Sequence, residues 1–256
     1  MRRLAQQAIH ELCLSLPATE AVISHGAPNY KARGKSFAIF VANHHGDGRI
    51  ALWLAAPEGA QEQLCLAAPE HYFVPPYVGP RGWVGVQLNT GLDWQDVYAR
   101  VREAWACVAP ATLRRTLPKT TPIAAPNAGL QLKEIDPLRS KPAENAIQRL
   151  RALCCALPEV TETTQFGAPT WKAGKRSFVT LWAKDDQLNL QIWVGVEQQA
   201  IMTEDPRFHI PPYIGHQGWI ALRLARSTNW NEVKSLVMQS YRHFALQRML
   251  KQLDAQ

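Results

Sequence analysis

The chain repeats itself, and this constrains its fold more than any other feature. Leu16-Pro17 returns as Leu157-Pro158, Gly26-Ala27-Pro28 as Gly167-Ala168-Pro169, and Ser36-Phe37 as Ser177-Phe178, each 141 residues further on. Trp53 matches Trp193 at a spacing of 140. Pro75-Pro76-Tyr77, Gly79 and Gly82-Trp83 return as Pro211-Pro212-Tyr213, Gly215 and Gly218-Trp219 at a spacing of 136. A spacing that changes only between elements marks a tandem duplication. The repeated unit is about 115 residues, an ordinary domain size. The expected domains are residues 1–115 and 143–256, joined by 116–142. That segment holds Pro118, Pro122, Pro126, Pro137 and Pro142 and has no helical or strand period, as an extended linker would. Its apolar Ile123, Leu130 and Leu132 leave open a segment draped over one domain.

Within each copy the hydrophobic periods predict the elements. Ile9, Leu12, Cys13 and Leu16 form a helical stripe, mirrored by Leu150, Leu153, Cys154 and Leu157. Strands are predicted near Val22–Tyr30, Ser36–Val41 and Ile50–Leu54, and in copy two near Thr163–Trp171, Ser177–Trp182 and Leu188–Val194. A helix near Glu58–Ala68 (Glu197–Thr203) and a strand at Trp83–Leu88 (Trp219–Leu224) follow. The last helix carries Val97, Val101 and Trp105, or Val233, Val237 and Tyr241. The order is helix, three strands, helix, one or two strands, helix. The fold class is therefore α+β: two tandem two-layer sandwiches, each with an antiparallel sheet. The other sheet face need not be covered and can stand open to solvent or to a partner.

Composition narrows the function. With 46% hydrophobic and 19% charged residues the chain can bury a core. No apolar run is long enough for a membrane span, and no signal peptide is evident at the N-terminus. Five cysteines with no C-x-x-C pair argue against zinc ribbons and for reduced thiols in the cytoplasm. The net charge of +7 hints at a polyanionic partner, but the excess is spread along the chain. Any nucleic-acid surface must come from a local cluster.

The string GAP.YK…GKSF…FVPPYVGPRGW, repeated as GAPTWK, GKRSF and IPPYIGHQGW, resembles the MmcQ/YjbR-like family. The resemblance covers both copies. It implies a small α+β fold comparable to frataxin-like and secretion-chaperone-like sandwiches, and a double-wing DNA-binding protein. Most relatives resemble a single unit, so the duplication is a departure. The family name is also linked to mitomycin clusters, which implies drug sequestration or resistance.

A catalytic set kept through duplication should recur at matching positions. None of the eight histidines meets another: His25 faces Phe166, His71 faces Arg207, and His216 faces Pro80. Asp96 and Glu232 match, but each follows a helix N-cap, Asp93 or Asn229, as in a capping box. Cys13 and Cys154 match on an apolar stripe, where cysteine packs as a small hydrophobe. No nucleophile–base pair emerges, so no enzyme activity and no cofactor are expected. His44-His45-Gly46-Asp47 reads as a solvated turn, because no partner cluster has ligand spacing. Iron needs an acidic helical row, and the first helix offers only Glu11.

Two sets of residues remain as binding candidates. Lys31, Arg33 and Lys35, with Lys172, Lys175 and Arg176 in copy two, flank the bend between strands; Arg81 sits in the glycine loop. They are either surface lysines at a turn or phosphate contacts from a wing-like hairpin. The rings of Trp53, Tyr77 and Trp83, with Trp193, Tyr213 and Trp219, either anchor the Pro-Pro-Tyr loop to the core or line a slot for a flat molecule. The expected partner is DNA, with a flat aromatic small molecule as the alternative. A third class is a domain serving only partner assembly.

Overall fold

The computed structural model describes residues 3–117, 124–184 and 187–255. The linker residues Pro118, Pro122 and Ile123 lie outside them. The chain divides into two units, Met1–Ile135 and Asp136–Gln256. The described part of the expected linker is shared between them. Residues 124–135 return to the first unit: the Ala5 amide donates to the Ala128 carbonyl (2.9 Å), and Leu130, Leu132 and Ile135 pack on the first core. Asp136 and Ser140 belong to the second unit, where Ser140 caps a helix by accepting from the Ala143 amide at 3.3 Å.

The first unit runs α1 (Ala5–Leu14), β1 (Thr19–Ser24), β2 (Ala27–Ala32), β3 (Lys35–Ala42), β4 (Ile50–Leu54), α2 (Ala60–Ala67), β5 (Tyr72–Phe73), β6 (Val84–Gln87), α3 (Trp94–Val108), α4 (Ala111–Arg114) and α5 (Leu132–Ile135). The second runs α6 (Lys141–Cys154), β7 (Val160–Gln165), β8 (Ala168–Ala173), β9 (Arg176–Lys184), β10 (Gln187–Trp193), α7 (Val196–Met202), β11 (Phe208–His209), β12 (Trp219–Arg223), α8 (Trp230–Phe244) and α9 (Gln247–Asp254). Each unit holds a six-stranded sheet, in the orders β1-β2-β3-β4-β6-β5 and β7-β8-β9-β10-β12-β11. The strand pairings within them are antiparallel. This is the two-layer α+β arrangement in duplicate.

The predicted first strand is a hairpin instead. His25-Gly26 in the first unit and Phe166-Gly167 in the second take positive φ (52° and 79°; 51° and 81°), splitting the run into two strands. A two-residue turn with both residues left-handed matches the twist of antiparallel strands. The usual Asn-Gly signal is missing, so only the glycine hinted at it.

The helices α1 and α3 cover one sheet face around Ile9, Leu12, Phe37, Phe40, Leu52, Val86 and Trp105. Leu150, Trp171, Phe178, Leu190, Leu222 and Tyr241 build the counterpart. Each large side chain so buried contributes roughly 1.5–3 kcal/mol. A polar bond at matching positions ties down the last long helix in each unit: Trp105 Nε1 donates to the Pro17 carbonyl (3.1 Å), and the Tyr241 hydroxyl donates to the Pro158 carbonyl (2.8 Å). Cys13 and Cys154 lie fully inside these cores, where burial pushes their thiols up.

Strand register corrects one sequence match. Ala38 pairs with Leu54, and its counterpart Val179 pairs with Ile192. Leu54 therefore corresponds to Ile192, and Trp53 to Gln191, not to Trp193. Trp193 stands where the first unit has Ala55. The cause is the β3–β4 turn, which is three residues longer in the first unit. The capping boxes are also incomplete. Asn229 accepts from the Asn231 and Glu232 amides, but the Glu232 carboxylate is bound by Arg207 at 2.8 and 3.1 Å.

Candidate binding surfaces

The cationic candidates gather on one hairpin per unit. In β2–β3 the tip is Arg33-Gly34, both at positive φ; in β8–β9 it is Gly174-Lys175, where only the glycine is. Glycine tolerates this conformation without strain, and the two units close the same hairpin with different two-residue turns, one left-handed at both residues and one only at the first. A register shift at Tyr30/Lys31 and again at Trp171/Lys172 marks a bulge in each second strand. Bulges bend a strand and re-aim its side chains. Arg33, Lys35, Lys175 and Arg176 are exposed, while Lys31 and Lys172 are half-buried. Arg81 is exposed in the glycine loop. None of the seven is ion-paired, whereas Arg100, Arg151, Arg207, Arg242 and Arg248 all are.

In the first unit the Pro-Pro-Tyr loop folds back along the open face of the sheet. Tyr77 and Tyr213 hold φ of 64° and 67°, uncommon for a bulky residue. Their rings are 67% and 88% exposed, so they are not the core anchors of the loop. In the first unit Val78 does that work, packed with Val41, Ala51 and Trp53. Gly79 and Gly215 leave room for Val74 and Ile210, whose side chains occupy the space a Cβ would need.

A residue that sequence reasoning missed secures both loops. Gln61 Nε2 donates to the Gly79 and Trp83 carbonyls at 2.8 and 2.5 Å. Gln199 Nε2 donates to the Gly215 and Trp219 carbonyls at 2.7 and 2.6 Å. One side-chain amide thus bonds two carbonyls in each unit, and the Gly79 and Gly215 oxygens also accept from the Gly82 and Gly218 amides. The available signal was a glutamine recurring 138 residues on, the spacing that register gives for this stretch.

The aromatic candidates part company between the units. In the first, Trp53 is 5% exposed on the open face, and His44 meets its ring edge-on at a centroid distance of 4.8 Å. His44 also meets Tyr77 edge-on at 5.8 Å, and Arg49 lies 4.2 Å over the Phe73 ring. Burial and the neighbouring His45 lower the His44 pKa. Trp83 is half-buried against both the core and this cluster. In the second, the predicted slot is closed by the unit's own helix: His243 stacks on Trp193 at 3.4 Å, and Phe244 stacks on Trp219 at 5.5 Å. Trp193 Nε1 is spent on the Gln217 carbonyl (2.9 Å). Only Tyr213 of that trio stays open.

A family model described as YjbR matches residues 14–107 and 155–243, one segment in each unit. The chain belongs to the YjbR family. Among solved structures, Deinococcus radiodurans protein DR2400, whose domain is the family model DUF419, is 18% identical with a TM-score of 0.36. That match covers 42% of this chain and 87% of the other. No curated protein matches the chain.

Both YjbR segments enclose the hairpin, the glycine loop and the Gln latch. Among the described residues, no three His, Cys, Asp or Glu side chains come together as a metal site would need. Among them, too, no helix is long and apolar enough to cross a membrane.

Proposed function

We propose that this tandem YjbR protein binds DNA without catalysing a reaction, each unit setting its basic hairpin on the phosphate backbone. The observation that carries the reading is the state of the six hairpin cations. Each unit brings three to one short, two-residue-turn hairpin, and none has an acidic partner. A cation already paired must break that pair before it meets a phosphate; these need not. Family membership supports a binding role, and the absence of a recurring nucleophile–base pair supports one without catalysis. The five free cysteines fit a reducing cytoplasm. Two modules on one chain gain avidity when both engage, with effective concentrations on the order of millimolar.

The test is affinity for a short duplex against salt. Each phosphate neutralised adds about 0.9 to the log–log slope. Replacing Lys31, Arg33 and Lys35 by alanine should flatten the slope by up to about 3 and leave the fold intact. No binding at low salt, or an unchanged slope in that variant and its second-unit counterpart, rejects the proposal.

A second reading is favoured in the first unit alone. There a flat small molecule, for sequestration or resistance, would sit with Trp53, Tyr77 and His44, because the Trp53 indole N–H is buried among rings without an acceptor. Ring-current shifts at Tyr77 on adding a planar ligand without DNA would support it.

A further inference from the structure

Directly opposed residues of neighbouring antiparallel strands point to the same face. In the first unit Asn29 opposes Ile39, Ile39 opposes Trp53, Trp53 opposes Gly85, and Gly85 opposes Phe73. This row crosses the open face, where Ile39, Trp53 and Phe73 pack together. Asn29 is 7% exposed and Trp53 5%. Asn29 Oδ1 and Trp53 Nε1 are both buried without a hydrogen-bond partner, and so is His44 Nε2. Leaving such a group unpaired costs about 1–3 kcal/mol. One row thus carries an unmet acceptor and an unmet donor, two strands or roughly 10 Å apart at the backbone.

The second unit shows the same row without unmet groups in its strand centre. Thr170 stands for Asn29, Thr180 for Ile39, Gln191 for Trp53, Ala221 for Gly85 and His209 for Phe73. The Thr170 and Thr180 hydroxyls bond each other at 3.2 Å, and Thr170 also donates to the Ala168 carbonyl. The unmet pair is therefore not a requirement of this fold.

We infer that the first unit's open face binds a planar heterocycle through an edge carrying adjacent C=O and N–H groups, as a lactam or imide does. The ligand carbonyl accepts from Trp53 Nε1, and its N–H donates to Asn29 Oδ1. His44 meets the Trp53 ring and Tyr77 meets His44 in turn, so the turn bearing His44 must move for entry. That turn holds positive φ at Asn43, His45, Gly46 and Gly48 and is the segment that is longer than its counterpart. This inference rests on the second reading above and gives it a ligand class. It needs no contact from the basic hairpins. Such an edge occurs in a free pyrimidine and in a thymine of single-stranded DNA.

The test is titration of the full-length 15N-labelled protein with thymine, with 1,3-dimethylthymine, and with an oligo(dT) of ten residues. The readout is the Trp53 indole N–H cross-peak, assigned by its loss in Trp53→Phe. Thymine or oligo(dT) should shift it while the Trp193 indole stays in place. The ligand that does so at lower concentration identifies the source, free base or strand. Dimethylthymine lacks the N–H and should bind about tenfold more weakly or worse. Asn29→Thr, which installs the second unit's residue, should weaken thymine similarly; the dimethyl arm needs no variant to fold. Equal shifts with thymine and its dimethyl form overturn the edge assignment and leave the planar-ligand reading standing. No shift of Trp53 with any of the three overturns both.

Discussion

The two units share a scaffold and differ on one face. The helix anchor on Pro17 or Pro158, the bulge before the basic hairpin, the left-handed tyrosine and the glutamine latch all occur twice. The open face does not. The first unit lines it with Ile39, Val41, Trp53 and Phe73; the second has Thr180, Trp182, Gln191 and His209 at those places. The second unit instead gives its rings to the end of α8, where His243 and Phe244 replace Cys107 and Val108. Duplication thus kept what the backbone needs and released what only a surface needs.

The largest expected effect tests whether the two cores are separate. Trp105→Ala empties the first core and should cost that unit about 3–5 kcal/mol. Amide exchange should then show residues 5–108 opening early while the second unit keeps its protection; loss of protection in both would mean a merged cooperative unit. Next comes the latch. Gln199→Ala removes the side-chain donor from the Trp219 carbonyl and leaves the Gly215 carbonyl with the Gly218 amide alone; it should cost about 1–3 kcal/mol, with Gln61→Ala matching it. Urea midpoints that separate the two variants widely would show that the loops are held differently.

Smaller effects bear on the open face. Gly85→Ala forces a methyl into the Phe73 ring and should cost about 1–3 kcal/mol. The reverse exchange in the second unit, Ala221→Gly, should cost only about 0.5–1 kcal/mol. Equal costs would undo the comparison of the two rows. The smallest effect is on pH. His44 and His243 both have pKa values lowered in the folded state, chiefly by burial. The unfolded chain then binds protons more readily, so this stability is full above about pH 6.5 and declines as the pH falls through the folded values. His44→Gln and His243→Gln should each flatten the decline between pH 7.5 and 5.5 in thermal melts.

Much of this was legible in residues alone. The stripe of Ile9, Leu12 and Cys13 faces the core as its period required, and the paired Gly-Trp motifs found equivalent places in both sheets. The hairpin at His25-Gly26 was not legible, because its turn needs left-handed residues and histidine does not advertise that conformation. Trp53 was matched to the wrong tryptophan because a longer turn shifts the alignment, and only backbone pairing restores it. The hairpin cations were found by composition; their lack of counter-ions depends on where the carboxylates fold. The asparagine of the open face was invisible for the same reason. A polar residue mid-strand announces neither which side it faces nor whether its bonds are met.

One consequence follows from the tyrosines at the loop crests. A side chain in that backbone region gives up about 1–3 kcal/mol that glycine would not. Tyr77→Gly and Tyr213→Gly should therefore raise the melting temperature, so each phenol sits at a position where stability alone would favour its removal. A polypeptide that twice holds a large ring against its own conformational preference, in full view of water, has a use for the ring.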